Sequence, residues 1–137
     1  MNYYLKLFIL SIVFVFMDIG WIILNREIYL GLIEKIQNEK FQTANILYYI
    51  ITYLVMILGL FIICITFVET QIQKYNNVDK YLVAFLAGGF YGIIVNSIYN
   101  FTSLVLYKNY SLYVSILDIC WAFVLYGTLS TVYIKIS

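Results

Sequence analysis

The hydrophobic positions along the chain fall into four long runs separated by short polar segments. The runs extend over residues 4–24, 44–68, 81–106 and 113–134. A helix needs about 20 mostly apolar residues to cross the hydrocarbon core of a bilayer, and each run is long enough. The pattern predicts an all-α fold, an integral membrane four-helix bundle, in a single transmembrane domain over residues 1–137. Four crossings put both termini on one side, called here the near side, opposite the far side.

The segment between the first two runs, residues 25–43, carries a weaker pattern. Ile28, Leu32, Ile33 and Ile36 recur at helical spacing among charged residues. This spacing is typical of a short amphipathic helix that lies in the membrane interface, here on the far side. An ordinary solvated connection is the alternative interpretation of the same residues.

The composition places the chain in a lipid bilayer and excludes several functions. Hydrophobic residues make up 64% of the chain and charged residues 11%, whereas soluble domains carry about 25% charged residues. The net charge of +1 gives no basic field for nucleic acid, so none is expected as a partner. Histidine is absent and the two cysteines lie in apolar runs, so we predict no metal site and no cofactor.

The charges outside the runs give only weak information on orientation. Of the 8 lysines and arginines, half lie on each side of the predicted membrane, so the positive-inside rule does not choose between the two orientations. The N-terminal amine adds one positive charge to the near side. On that basis we predict that the termini are cytoplasmic.

The sequence Asp-Ile-x-Trp occurs twice, once in the first run and once in the last. One copy contains Asp18 and Trp21, the other Asp118 and Trp121. A carboxylate near the centre of a membrane helix costs about 2.5 to 3.5 kcal/mol on insertion scales, so such residues usually have a function. At a rise of about 1.5 Å per residue, Asp18 lies about 9 Å and Asp118 about 8 Å below the far edge. The two motifs are therefore expected at one depth, on antiparallel helices.

The other two runs bring polar residues to the same depth. Asn96 and Asn100 lie towards the far end of the third run, and Tyr49 near the far end of the second. We therefore predict one intramembrane polar cluster, formed by Asp18, Trp21, Tyr49, Asn96, Asn100, Asp118 and Trp121. Gly88 and Gly92 form a GxxxG pair, which predicts a close contact with a neighbouring helix.

Three kinds of function are compatible with such a cluster. The first is binding or passage of a small solute, a lipid headgroup or a proton, and passage would predict a homo-oligomer because four helices rarely enclose a transport path. The second is a structural role, in which the polar groups fix helix packing or assembly. The third is a membrane-embedded enzyme, but no nucleophile–base pair accompanies the carboxylates, so no catalytic residue is assigned.

Short motifs along nearly the whole chain resemble the domain-of-unknown-function (DUF) family 2177, small four-span membrane proteins of bacteria and large DNA viruses. The matching pieces lie at residues 18–21, 29–31, 44–53, 88–92, 99–103 and 118–121. The resemblance implies a multi-pass protein of the cell membrane, or of a host or virion membrane if the source is viral.

The chain departs from the pattern of this family at three positions. Where the family usually reads Tyr-Asp-x-Thr-Asn, this chain has Asn100 in place of an aspartate and Ser103 in place of an asparagine, and Ala122 replaces a glycine. The resemblance implies an acidic triad, which would suit a cation or a proton. Asn100 keeps the size and the hydrogen bonding of the expected aspartate but removes one charge.

Overall fold

A computed structural model describes residues 1–40 and 45–137. In that part of the chain all regular structure is helical, and the helices are α1 (Tyr3–Leu24), α2 (Arg26–Gln37), α3 (Ile46–Lys74), α4 (Lys80–Leu106) and α5 (Leu112–Ile136). Helices α1, α3, α4 and α5 are long and apolar enough to cross a membrane. The predicted all-α fold with four membrane-spanning helices is confirmed.

Helix α3 departs most from the hydrophobic run that predicted it. The run covers residues 44–68, whereas α3 begins at Ile46, where the Asn45 side chain accepts a hydrogen bond from the N–H of Leu47 at 2.9 Å. Its last turns extend to Lys74 because a polar sequence can continue a helix beyond the apolar segment. Ala44, the predicted first residue of this span, lies outside the described residues.

Helix α2 occupies the amphipathic segment between α1 and α3. It follows α1 after one residue, Asn25, and ends at Asn38, whose left-handed backbone (φ 55°) stops the helix. Leu32 is its one buried residue, while Arg26 and Glu27 are exposed. The last three residues of the predicted interfacial segment, 41–43, lie outside the described part of the chain.

The two halves of α3 differ in how they pack. A π-helical turn at Leu60–Cys64 separates them. No residue of Ile46–Gly59 is buried, whereas Leu60, Cys64 and Val68 are fully buried against the bundle. The far half of α3 therefore contributes little to the core and leaves space between itself and the other helices.

Helices α4 and α5 approach each other closely through small residues. A Cβ atom on Gly92 would lie 2.3 Å from the carbonyl oxygen of Ala122, and one on Gly88 would lie 2.6 Å from that of Tyr126. Only glycine leaves room for such contacts between backbones. The resulting pair packs against buried side chains of α1 and of the near half of α3.

Both ends of the chain lie at the same end of the bundle. The Lys6 ammonium nitrogen lies 5.3 Å from the centroid of the Tyr133 ring, which joins the start of α1 to the end of α5. The carboxylates of the two motifs lie in the opposite half, beneath α2.

Candidate functional site

The two Asp-Ile-x-Trp motifs meet face to face between α1 and α5. The indole rings of Trp21 and Trp121 are stacked, with centroids 4.6 Å apart and planes 2° apart. In each motif the tryptophan follows the aspartate by three residues, so both side chains project from one face of their helix. Because α1 and α5 are antiparallel, each indole comes close to the carboxylate of the other motif. The result is an approximate two-fold arrangement within the membrane.

Each indole N–H is hydrogen-bonded to the carboxylate of the other motif, in one case directly and in the other through a tyrosine hydroxyl. Trp121 Nε1 donates to Asp18 Oδ1 at 3.1 Å. Trp21 Nε1 donates to the Tyr29 hydroxyl at 2.9 Å, and that hydroxyl donates to Asp118 Oδ1 at 3.3 Å. The last contact is long for an O–H···O hydrogen bond. It is nevertheless the polar contact by which α2 reaches the carboxylate of α5.

Asp118 also accepts hydrogen bonds from α4. The side-chain amides of Asn96 and Asn100 donate to Asp118 Oδ2 at 3.1 and 2.7 Å. Asn100 is fully buried and all its polar atoms are engaged: its amide also donates to the main-chain oxygen of Asn96 at 2.8 Å, and its Oδ1 accepts from the Tyr110 hydroxyl at 3.1 Å. These contacts orient the amide nitrogen of Asn100 towards Asp118.

Asp18 lies next to a layer of aromatic rings formed by Phe14, Tyr53 and Tyr126. Its Oδ2 accepts a hydrogen bond from the Tyr53 hydroxyl of α3 at 2.9 Å. The buried ring of Phe14, one turn earlier on α1, makes edge contacts with Tyr53 and with Tyr126 of α5, at 6.2 and 5.8 Å between centroids. This layer separates the polar cluster from the near half of the bundle.

A lateral cavity of about 500 Å³ reaches both carboxylates. Half-buried Asp18 and Asp118 line it together with Arg26, the exposed first residue of α2. Its other polar lining residues are Trp21, Tyr29, Tyr49, Thr52, Asn96 and Tyr99. The remainder of its wall is apolar and comes from α1, α2, α3 and α4.

A second, loop-side cavity of about 260 Å³ reaches Asp118 from the far end of the bundle. It lies among α2, the end of α4 and the start of α5, and its lining includes Gln37, Tyr107 and Tyr110. The side chains that line both cavities are Tyr29, Ile33, Tyr99 and Asp118. Asp118 can therefore be approached from two directions.

Two tyrosines that lie outside the spanning helices remain protonated donors. Burial, together with the nearby charge of Asp118, raises the pKa of Tyr29 to about 12, although the hydrogen bond from Trp21 acts in the opposite direction. Burial also raises the pKa of Tyr110. At neutral pH both hydroxyls can thus donate, to Asp118 and to Asn100 respectively.

Six of the seven residues predicted for the cluster come together in one stacked and hydrogen-bonded group. They are Asp18, Trp21, Asn96, Asn100, Asp118 and Trp121. Tyr49 lines the lateral cavity, but the hydroxyl that reaches Asp18 from α3 belongs to Tyr53, one turn further along.

Sequence reasoning also missed Arg26, Tyr29 and Tyr110, which lie outside the apolar runs. The sequence offered one signal for Tyr29, which is that it lies in the amphipathic segment, next to the apolar residue Ile28. Nothing in that pattern indicated that the segment folds back over the carboxylates.

Comparison with known proteins identifies a family for this chain. The family model described as "Predicted membrane protein (DUF2177)" matches residues 3–134, a range that includes α2, both Asp-Ile-x-Trp motifs and nearly all of the four spanning helices. No curated protein and no solved structure matches the chain.

Proposed function

The chain belongs to the DUF2177 family of predicted membrane proteins, and we propose that this multi-pass protein uses Asp18 and Asp118 to bind a small molecule within the bilayer. The ligand carries a positively charged or hydrogen-bond-donating group that faces the two carboxylates. The observation that carries this proposal is the lateral cavity, which gives access to both of them. Its volume of about 500 Å³ falls within the range of about 300–1,000 Å³ that is typical of small-molecule sites.

The hydrogen bonds that the two carboxylates already make favour a ligand that donates hydrogen bonds. An ionised carboxylate has about four acceptor positions. Within the described part of the chain, Asp18 accepts hydrogen bonds from Tyr53 and Trp121, and the side chains that donate to Asp118 are neutral as well. Asp18 therefore retains acceptor capacity towards the cavity, and neither of these two hydrogen-bond partners is a cation.

Native mass spectrometry of the protein in a mild detergent tests this function. We expect a bound species of defined mass on the wild type and its loss from the Asp18→Asn/Asp118→Asn double variant. The control is Asp79→Asn, which removes a carboxylate from the N-cap of α4, far from the cavity, and which keeps a good capping residue. An adduct of equal occupancy on the wild type and the double variant, or an empty wild type, contradicts the proposal.

A structural role is the second candidate, and one specific observation favours it. Asp18 joins α1 to α3 and α5, and Asp118 joins α5 to α2 and α4, so two carboxylates connect all five described helices. Hydrogen bonds between membrane helices contribute about 0.6 kcal/mol each on average. If this role is the main one, both the wild type and the folded double variant are empty.

A further inference from the structure

The lateral cavity reaches the outer surface of the bundle, where several of its lining residues are exposed. Its lining from α3 includes Tyr49 and Thr52, both of which are exposed. Tyr99 of α4 also lines the cavity and is 64% exposed. A molecule embedded among the lipids can therefore reach the carboxylates from the side, without passing through the packed interface of α4 and α5.

The charges in the cavity wall have opposite signs at different depths. Arg26 begins α2 at the far end of the bundle, and Asp18 lies about 9 Å below that edge by helical rise. A guanidinium group presents a planar fork of donors that matches phosphate oxygens. The carboxylates beneath it accept hydrogen bonds and favour a cation. The complementary ligand is a zwitterion with its phosphate outward and its cation inward.

The apolar part of the wall favours a lipid over a free solute of the same charge. Ile22, Leu30, Ile33, Met56 and Val95 line the cavity beside the charged groups. Such a surface can border acyl chains at no cost, whereas a small zwitterion would lose hydration there without gaining a hydrogen bond from it. The opening towards the bilayer also leaves an exit for acyl chains.

We propose that the lateral cavity binds the headgroup of a phospholipid that carries a primary ammonium, as phosphatidylethanolamine does, taken from the far leaflet. The inference rests on the proposed binding function and names its ligand class. The phosphate faces Arg26 and the ammonium faces Asp18 and Asp118. A primary ammonium has three N–H donors for these oxygens, whereas a trimethylammonium headgroup has none.

The test is a titration of the delipidated protein in detergent, followed by native mass spectrometry. The probes are phosphatidylethanolamine, phosphatidylcholine and phosphatidylglycerol with identical acyl chains, and free phosphoethanolamine. We expect phosphatidylethanolamine to bind about tenfold more tightly than each of the other two lipids, which corresponds to about 1.4 kcal/mol. Free phosphoethanolamine should bind much more weakly than the lipid.

Two variants separate the contacts that the headgroup makes. Asp18→Asn/Asp118→Asn should reduce the affinity for phosphatidylethanolamine to that for phosphatidylcholine. Arg26 is exposed, so Arg26→Gln should not disturb folding. It should lower the affinity for phosphatidylethanolamine and for phosphatidylcholine by the same factor, because both lipids carry the phosphate. Lys108→Gln, which removes a far-side cation that does not line the cavity, is its matched control and should change neither affinity.

The possible outcomes test the headgroup, the lipid source and the binding function separately. Equal affinities for the three lipids, or no effect of Arg26→Gln, would overturn the assigned headgroup. If free phosphoethanolamine binds as tightly as the lipid, the ligand is soluble and the lipid source is wrong. If some other bound species disappears in the double aspartate variant, only this inference fails. If no bound species depends on the aspartates, the proposed function fails with it.

Discussion

Replacement of Asp118 should show how much the polar cluster contributes to the stability of the fold. In Asp118→Asn, the new carbonyl can take the place of Oδ2 and accept from Asn96 and Asn100, while the new amide faces the Tyr29 hydroxyl, which can itself accept. The variant can then keep all three interhelical hydrogen bonds in altered form, so we expect a cost below the roughly 0.6 kcal/mol that one such hydrogen bond is worth on average.

Asp118→Leu removes every acceptor at once. The N–H of fully buried Asn100 that faces Asp118 is left without a partner, at a cost of about 1–3 kcal/mol. Asn96 keeps a long contact of 3.4 Å to the main-chain oxygen of residue 118, and Tyr29 lies beside the loop-side cavity, so their losses are smaller. The expected total is about 2–4 kcal/mol of unfolding free energy, several times the cost of the asparagine variant.

Equilibrium unfolding in mixed micelles of dodecyl maltoside and sodium dodecyl sulfate measures this difference. Tryptophan fluorescence reports the stacked indoles, and far-ultraviolet circular dichroism reports the helices. Ile116→Leu, on the lipid-facing side of the same helix, is the control and should leave the unfolding free energy unchanged. Equal losses for the leucine and asparagine variants would refute the reasoning, because they would show that the acceptors at Asp118 do not determine the cost.

Two further predictions concern the helix pair and α2. Gly92→Ala should destabilise the protein by about 1–3 kcal/mol in the same micelle assay, because its Cβ would lie 2.3 Å from the Ala122 carbonyl oxygen. Gly20→Ala should be nearly neutral, because a Cβ there would meet no atom within 4 Å apart from the nearby backbone of its own helix. Equal effects of the two substitutions would contradict the close approach of α4 and α5. The pKa of Tyr29 is raised from 10.0 to about 12, so its contribution to stability is complete below pH 10 and is lost as the pH rises through about 12. Alkaline unfolding of Tyr29→Phe should lack that step, and identical wild-type and variant profiles above pH 10 would count against the buried hydroxyl.

The depth of the polar residues could be predicted from the sequence because depth depends only on counting along a helix of known rise. That count brought Asp18 and Asp118 to the same level before any packing was known. The contact that α3 makes with Asp18 could not be predicted in the same way. Tyr49 and Tyr53 lie one turn apart on the same face of α3, and a count of residues does not decide which hydroxyl reaches Asp18.

The position of α2 over the polar cluster could not be predicted from the sequence, for a different reason. Its amphipathic pattern predicts a helix at an interface but gives no direction relative to the bundle. The one-residue connection at Asn25 and the packing of buried Leu32 hold α2 above the cluster, which brings Tyr29 to Asp118 and Arg26 to the lateral cavity. The mixed charge of the cavity therefore depends on tertiary structure.

Under the proposed function, the hydrogen bonds of Asn100 favour a ligand with a single positive charge. The family resemblance implies an aspartate at this position, and a second carboxylate 2.7 Å from Asp118 Oδ2 could exist only with a proton or a cation shared between the two. The amide of Asn100 takes that place with a hydrogen bond from within the protein, and Tyr110 fixes its orientation. Asp118 is thereby satisfied towards α4, and the acceptor capacity that remains at the two aspartates faces the lateral cavity. A primary ammonium uses that capacity, because its three N–H donors suit the acceptor positions that remain at Asp18 and Asp118.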